Sequence, residues 1–139
     1  MRKIEGSCLC GSVSYTCSTD PVFTAICNCS ACQKLTGSAF IVVVGIGRAG
    51  FALSGAEHLR RYEYIGDSGK PAVRHFCGTC GSLVYGESGS RPDMLNVAAG
   101  TLHDKSWVKP QMHVYWRDHF EFLSDLSSIP KFELMPPKR

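Results

Sequence analysis

The chain has 139 residues, of which 44% are hydrophobic and 19% are charged, and its formal net charge is +3. This size and composition are typical of one globular domain with its own hydrophobic core. The small positive charge is spread along the sequence, which argues against a nucleic-acid-binding surface. The longest apolar run, 40–46, is too short to span a bilayer.

The amino-terminal segment comes first in chain order, and it does not have the pattern of a secretory signal. Its first ten residues, MRKIEGSCLC, contain basic side chains but no apolar stretch behind them. We therefore expect a cytoplasmic protein in a reducing compartment, where clustered cysteines bind metals more often than they form disulfides. Neither a membrane nor a nucleic acid is expected as a partner. The oligomeric state stays open, a homodimer included.

Mostly short β-strands are predicted for the rest of the chain. Apolar residues alternate or form short β-branched blocks, most of which are bounded by glycine, serine, aspartate or proline. One helical turn is predicted at 30–35, with Ser30 as its N-cap and Gly37 as its end. The eight blocks that predict strands are 13–15, 22–26, 39–46, 59–65, 73–76, 83–85, 94–98 and 112–116.

No internal repeat or domain boundary interrupts this pattern, so the chain 1–139 is interpreted as a single, mainly β domain. Its core is expected over about residues 6–133. Turn-forming residues dominate 66–71 and 86–92, which predict loops. The tail 130–139, with its adjacent prolines, predicts an extended strap with a basic end.

Seven of the eight cysteines lie in short clusters whose spacing is typical of zinc sites. The clusters are C-L-C at 8–10, C-N-C-S-A-C at 27–32 and C-G-T-C at 77–80. A CxxC pair with glycines resembles a zinc knuckle, because glycine lets the backbone curl until both sulfurs face one point. The alternative is a redox pair, which requires a helix at the motif, whereas 81–86 predicts a turn and a strand.

A four-cysteine site follows from pairing this knuckle with the first cluster. If Cys8 and Cys10 occupy alternate positions of a strand, their side chains face the same side, and Gly11 allows the chain to bend. Such a site would join the first strand to the second half of the sheet, and its metal binding would contribute directly to folding. The predicted ligands of this structural zinc are Cys8, Cys10, Cys77 and Cys80.

The remaining cluster, Cys27, Cys29 and Cys32, lacks a fourth cysteine. Cys17 ends a strand-like alternation, where a lone cysteine is more often a small buried apolar residue than a ligand. A histidine from elsewhere could complete the site, although none lies at metal-ligand spacing from the three cysteines. Three protein ligands and one open position are the arrangement of catalytic zinc. We therefore predict two zinc ions per chain, the second with an open position.

The charge of a three-cysteine zinc site indicates which substrate it would prefer. Three thiolates around a dication leave a net charge of about −1, so the centre is a weak Lewis acid and a poor generator of hydroxide. A soft thiol suits its open position better than water, and binding would deprotonate that thiol and hold it as a nucleophile. The residues alone thus predict a thiol substrate without specifying it.

Four ordered motifs carry a resemblance to a known family. They read G-S-C-L-C-G-S-V-S-Y, C-N-C-S-A-C-Q-K-L-T-G-S-A-F, R-H-F-C-G-T-C-G-S and V-A-A-G-T-L. In this order they resemble the glutathione-dependent formaldehyde-activating enzymes, a family that includes centromere protein V. The resemblance implies a β-tent of antiparallel sheets and a carbon–sulfur lyase that condenses formaldehyde with glutathione to S-(hydroxymethyl)glutathione. It also implies the same division of the seven cysteines between a structural and a catalytic zinc.

Several positions depart from the family's pattern without removing a metal ligand. Asn28 stands where many members have histidine, between the first two cysteines of the second motif. His103 interrupts the Gly-Thr-Leu-Asp run that is common in the family, and Phe120 and Phe122 lie near positions where members often carry tryptophan. These differences are expected to affect the substrate pocket.

Glutathione is anionic, so cationic side chains should line its site. Lys34, just after the three clustered cysteines, and Arg74 are the candidates. The expected substrates are glutathione or another small thiol and a small aldehyde. Two other interpretations stay open, a non-catalytic zinc-stabilised module that binds proteins and a redox or metal-handling protein whose second site loses zinc when it is oxidised.

Overall fold

The computed structural model describes residues 4–137 and shows a mainly β architecture with one short α-helix, α1, at Ser30–Thr36. This confirms the predicted fold class. The strands, in chain order, are β1 Ile4–Ser7, β2 Ser14–Cys17, β3 Phe23–Cys27, β4 Ile41–Gly47, β5 Phe51–Ser54, β6 Leu59–Ile65, β7 Pro71–Cys77, β8 Leu83–Ser88, β9 Met94–Ala98 and β10 Met112–Val114.

The strands form two sheets. β1, β2 and β5 make an antiparallel three-stranded sheet, and the other seven strands lie in the order β10-β3-β4-β9-β8-β7-β6. Neighbours in the larger sheet are antiparallel except β10, which runs parallel to β3 at the sheet edge. The expected antiparallel sheets are therefore present, with one parallel strand added at an edge.

The core lies between the three-stranded sheet and one face of the seven-stranded sheet. Val44, Ile46 and Val97 of the larger sheet have no exposed surface, and Ile4 and Tyr15 of the smaller sheet belong to the same buried cluster. Each such aliphatic side chain contributes about 1.5–3 kcal/mol through its removal from water. Because side chains alternate along a strand, the intervening residues of the larger sheet point to its opposite face.

All eight predicted strand blocks coincide with observed strands. β9 matches its prediction residue for residue, whereas β10 ends at Val114 because a 3-10 turn follows at Trp116–Asp118. The predicted blocks omitted β1 and β5, which are four-residue strands of the smaller sheet. Each of these strands turns only two side chains towards the core, too few for a periodic signal in the sequence.

The placement of Cys8 and Cys10 on a strand was wrong. β1 ends at Ser7, and the two cysteines belong to the turn that follows it. The N–H of Gly11 closes this turn by donating to the Cys8 carbonyl at 3.2 Å, and Gly11 has a φ of 81°. The sulfurs are brought to the same side by a tight turn, for which the positive φ of glycine is required.

The single helix begins one residue differently from the prediction. Its N-cap is Cys29 instead of Ser30, since the Cys29 sulfur accepts a hydrogen bond from the Cys32 N–H at 3.3 Å. The predicted end at Gly37 is confirmed by a left-handed φ of 65°. A predicted metal ligand therefore also caps the helix.

Of the two predicted loops, 66–70 separates β6 from β7, whereas 86–88 belongs to β8. The predicted strap has no regular structure as far as residue 137, and the side chain of Leu134 is 91% exposed. Its last two positions, 138–139, lie outside the described residues. Within 4–137, no helix is both long enough and apolar enough to cross a membrane.

Candidate metal centres and the adjoining cleft

The four-cysteine cluster (Cys8, Cys10, Cys77 and Cys80) lies where the two sheets meet. One pair follows β1 of the smaller sheet, and the other lies between β7 and β8 of the larger sheet. All four sulfurs lie within 4.8 Å of one another, and the neighbouring sulfurs of Cys8 and Cys10 are 3.7 Å apart. Zinc with bonds of about 2.3 Å to a tetrahedron of sulfurs separates those sulfurs by about 3.8 Å. The cluster therefore fits a closed zinc site.

Backbone hydrogen bonds shape the knuckle between β7 and β8. The Cys77 N–H donates to the Ser82 carbonyl at 2.9 Å, and the Gly81 N–H donates to the Cys77 carbonyl at 2.8 Å. Gly81 has a φ of 80°, which a residue with a side chain rarely adopts. The Leu9 N–H reaches the Ser82 hydroxyl at 3.0 Å, so the two cysteine turns are also joined directly.

Two thiols of this cluster, those of Cys10 and Cys80, have a lowered pKa, which favours the thiolate that binds metal. Hydrogen bonds from the hydroxyl and backbone N–H of Ser82 lower the pKa of the Cys80 thiol to about 5. Ser12 lowers the pKa of Cys10 in the same way, whereas burial raises the pKa of Cys8. Because the thiolate is the metal ligand, local hydrogen bonds already favour it at the two more exposed positions.

The cysteine triplet (Cys27, Cys29 and Cys32) is built by one short piece of chain. Cys27 ends β3, Cys29 caps helix α1 and Cys32 lies in its first turn. The sulfurs of Cys29 and Cys32 are 3.0 Å apart, and those of Cys32 and Cys27 are 3.5 Å apart. The three sulfurs could hold a metal ion after a small outward adjustment towards the spacing of about 3.8 Å that tetrahedral zinc requires.

No fourth protein ligand joins the triplet among residues 4–137. The group of cysteine, histidine and carboxylate ligand atoms within 4.8 Å of one another contains only the three sulfurs. His113, on the neighbouring strand β10, is engaged elsewhere, with its Nδ1 atom 3.2 Å from the Asn28 Nδ2 atom. The predicted alternative of a completing histidine therefore has no support in the described part of the chain.

The triplet thiols differ strongly in their pKa. Hydrogen bonds from Cys27 and then Cys32 lower the pKa of Cys29 to about 2, with a further contribution from the positive charge of Arg74. Hydrogen bonds with Cys27 and then Cys29 raise the pKa of Cys32, and the bond to Cys29 raises that of Cys27. One sulfur of the triplet therefore carries a negative charge readily, while the others hold their protons until a cation replaces them.

Asn28, between two cysteines of the triplet, anchors this loop to β10. Its side chain is fully buried, and its Nδ2 group donates to the Val114 carbonyl at 3.1 Å. The Gln33 side chain donates to the carbonyls of Asn28 and Asp118, at 3.0 and 2.9 Å. These bonds hold the segment 114–118 against the triplet, on both sides of Tyr115, whose φ of 54° is unusual for a residue with a side chain.

A cleft of about 830 Å³ opens beside the triplet, and all three of its cysteines line it. The floor is the face of the seven-stranded sheet that points away from the core. Successive strands contribute alternate residues to this floor, including Phe23, Ala25, Ile41, Val43, Met94, Asn96, Ala72, Arg74 and Tyr64. The four-cysteine cluster does not border this cleft.

Arg74 is the predicted cationic residue that lines the same cleft as the triplet. Its guanidinium carbon lies 5.4 Å from the centre of the Tyr64 ring, and it lies over Gly86 of the next strand. A Cβ at Gly86 would be 2.8 Å from an Arg74 nitrogen, so glycine makes room for the guanidinium. Lys34 lies elsewhere, in a groove that it lines together with Phe120 and Phe122.

Sequence reasoning did not identify three other residues that line the cleft, Tyr64, Arg91 and Tyr115. Tyr64 shares a face with Arg74 through the pairing of β6 with β7, and alternation along the strands could have indicated this. Arg91 and Tyr115 reach the cleft from irregular segments, for which the sequence has no comparable signal.

Comparisons with known proteins agree with this architecture. Residues 3–118 match the family described as glutathione-dependent formaldehyde-activating enzyme. A protein of Halomonas elongata, named provisionally as such an enzyme, is 30% identical over 115 residues, covering 81% of this chain and 73% of that protein. A crystal structure of a Rhodobacter sphaeroides protein superposes with a TM-score of 0.59 at 23% identity, over 78% of this chain and 98% of that one. The last comparison supports the fold alone.

Proposed function

The chain belongs to the glutathione-dependent formaldehyde-activating enzyme family, and on this premise we propose that it is a zinc-dependent carbon–sulfur lyase. Its substrates would be glutathione, or a related small thiol, and a small aldehyde such as formaldehyde. Membership of this family supports glutathione and formaldehyde as the substrates. Beyond family membership, we propose the use of zinc, the type of reaction and the residues that take part in it.

The contrast between an open and a closed set of cysteines carries this proposal. The four-cysteine cluster supplies every ligand that tetrahedral zinc needs, whereas the triplet supplies three and borders a cleft of about 830 Å³. A metal ion bound by the triplet would leave one position for a substrate thiol and would favour its thiolate form. A purely structural site would need no cleft beside it.

The overall reaction is an addition that balances without an oxidant or a reductant. The thiol sulfur bonds to the aldehyde carbon, the second bond of the carbonyl breaks, and the carbonyl oxygen takes up a proton. The thiol supplies one proton for each product molecule, so the sum is thiol plus aldehyde to hemithioacetal. The cleft is required to position the two reactants, because holding them together replaces a collision between free molecules.

The side chains around the cleft have matching roles in this proposal. Arg74 would bind a carboxylate of the thiol substrate and keep it beside the triplet. The phenols of Tyr64 and Tyr115 also line the cleft, and burial raises the pKa of both, so each is protonated at neutral pH. Either hydroxyl could donate a hydrogen bond to the carbonyl oxygen as negative charge develops on it.

A second candidate function has one supporting observation. The sulfurs of Cys29 and Cys32 are only 3.0 Å apart, which favours their oxidation to a disulfide when no metal separates them. The chain would then act in redox sensing or metal handling, with the triplet releasing its metal on oxidation. Unlike the lyase proposal, this function would not require a thiol to enter the cleft.

Cobalt substitution distinguishes these functions. We expect two metal ions per chain, and after exchange of the triplet metal for cobalt, titration with glutathione should strengthen the sulfur-to-metal charge-transfer band. The control is Cys29→Ser, in which the four-cysteine site should bind cobalt but glutathione should leave the spectrum unchanged. A wild-type spectrum that no thiol alters, with a fourth protein ligand at the triplet metal, would reject the lyase proposal.

A further inference from the structure

We infer that Arg91 binds the carboxylate of the thiol substrate that lies farther from the triplet, so that the cleft selects thiols with two widely spaced carboxylates. This inference rests on the proposed function, because it takes the triplet as the position of the thiol. It adds a second anion-binding position, at the far end of the cleft, to the one formed by Arg74.

Arg91 marks the end of the cleft opposite the triplet. Its guanidinium carbon lies 5.7 Å from the centre of the Phe23 ring, at the start of β3, whereas Cys27 ends the same strand. Four residues of a strand span about 13 Å at about 3.3 Å per residue. Arg91 therefore lies at the end of β3 opposite Cys27, whereas Arg74 lies four strands away across the sheet, on β7.

The backbone around Arg91 and the ring beneath it give this arginine a defined position. Its N–H donates to the Ser88 carbonyl at 3.0 Å, and its carbonyl accepts from the Met94 N–H at 3.1 Å. The Phe23 ring lies over Gly45, where any Cβ would collide with it. A guanidinium over an aromatic face keeps its in-plane N–H donors directed outwards, where they can bind a carboxylate through two hydrogen bonds.

The other charges of the cleft indicate that Arg74 and Arg91 are the two available cations. Arg117 also lines the cleft, but it pairs with Asp67 at 3.2 Å and Asp118 at 3.7 Å. Within 4–137, no carboxylate lies at ion-pair distance from Arg74 or Arg91. The floor between them carries neutral side chains, among them Ala25, Val43 and Asn96. A neutral trough with a cation at each end is complementary to a molecule with an anion at each end.

Glutathione carries a carboxylate at each end, with an ammonium group beside the γ-glutamyl carboxylate. Its thiol lies on the central residue, and its γ-glutamyl carboxylate is separated from the sulfur by more bonds than its glycine carboxylate. With the sulfur at the triplet, the nearer glycine carboxylate is assigned to Arg74 and the farther γ-glutamyl carboxylate to Arg91. A small monocarboxylate thiol could occupy the triplet and Arg74 but could not reach Arg91.

The test uses S-methylglutathione, which keeps both carboxylates but has no ionisable thiol. Its affinity for the zinc-loaded protein is measured by isothermal titration calorimetry, with circular dichroism to confirm that each variant is folded. Arg91→Gln should weaken binding about tenfold or more, because a charge-assisted hydrogen bond to the carboxylate is lost, and Arg91→Lys should restore part of the loss. The matched control is Arg61→Gln, which removes the same charge from an exposed pair with Glu63 and should change the affinity less than twofold.

Two amidated ligands assign the carboxylates. If the γ-glutamyl carboxylate of S-methylglutathione is amidated, the wild-type protein should bind the amide as weakly as Arg91→Gln binds the parent compound. Arg91→Gln should bind this amide and the parent compound with the same affinity. Amidation of the glycine carboxylate should weaken binding equally in both proteins. If Arg91→Gln instead binds the glycine amide and the parent compound with the same affinity, the assignment of Arg91 is overturned.

The outcomes separate this inference from the proposed function. If Arg91→Gln binds S-methylglutathione as Arg61→Gln does, or if the wild type does not bind it, the inference is overturned, even when glutathione still alters the cobalt spectrum. A selective loss in Arg91→Gln supports Arg91 as a carboxylate-binding residue even when no thiol reaches the metal, a result that would reject the proposed function alone.

Discussion

The two cysteine clusters use the same side chain in opposite ways. The four-cysteine cluster is formed by two turns that are about seventy residues apart in the chain, and it joins the two sheets. One of its members, Cys77, has no exposed surface. The triplet draws on six consecutive positions, 27–32, and borders an open cleft. Ligand number and chain separation therefore differ together: the cluster that joins the two sheets has four sulfurs from distant turns, and the cluster beside the cleft has three from one short segment.

The largest effect is expected from breaking the closed site. Cys77→Ser should lower the free energy of unfolding by more than about 4 kcal/mol, because one lost ligand forfeits most of the folding contribution of the metal. Thermal denaturation and zinc analysis measure this effect. The control is Cys17→Ser, a buried cysteine outside both clusters, which should keep both metal ions. Retention of two tightly bound zinc ions by Cys77→Ser would contradict the structural role of this cluster.

Replacing one cysteine of the triplet should lower the stability less than Cys77→Ser does, but it should abolish thiol binding. Cys29→Ser should stay folded, because a serine can still cap helix α1 and the flanking strands pack without the metal. Its melting temperature should remain within about 5 °C of the wild type, while its cobalt spectrum should no longer respond to glutathione. Equal loss of stability in Cys29→Ser and Cys77→Ser would abolish the distinction between the clusters.

The sequence predicted the clusters better than it predicted what surrounds them. Ligand spacing is local, so C-G-T-C and C-N-C-S-A-C could be identified from the chain alone. Their partition by counting agrees with the two groups of sulfurs that the structure brings together. The strands β1 and β5 were not predicted, because a strand of four residues gives almost no hydrophobic periodicity in the sequence.

The cationic side chains show why proximity along the chain is a weak guide. Lys34 follows Cys32 by two positions, but on a helix two positions are about 200° apart, so the two side chains point to opposite sides. Arg74 reaches the cleft from strand β7, and Arg91 reaches it through the packing of an irregular loop onto Phe23. Long-range packing of this kind has no signature in a single sequence.

The pH dependence of thiol binding tests whether the triplet is an open site. A thiol must lose its proton to bind the metal, so affinity should rise about tenfold per pH unit below the pKa of the free thiol and become constant above it. Cobalt charge-transfer titrations with glutathione between about pH 6 and 10 measure this slope. A thiol with a lower pKa should reach its plateau at a lower pH. An affinity that does not change with pH would indicate that glutathione binds without its sulfur on the metal.

The smallest effect is expected from Asn28, which tests what holds the triplet loop in place. Its buried side chain donates to the Val114 carbonyl and contacts His113, and both partners lie on β10. Asn28→Ala should lower the free energy of unfolding by about 1–3 kcal/mol, because the hydrogen bond from the side chain and the packing of that buried side chain are lost, although the Val114 carbonyl still accepts from the Asn28 backbone N–H. Two zinc ions should still bind, since the sulfurs are positioned by β3 and helix α1. Ser30→Ala, an exposed change at the start of helix α1, is the control. Loss of the triplet metal without loss of stability would show that Asn28 arranges the sulfurs themselves, so that even the open site depends on a contact outside its own six positions.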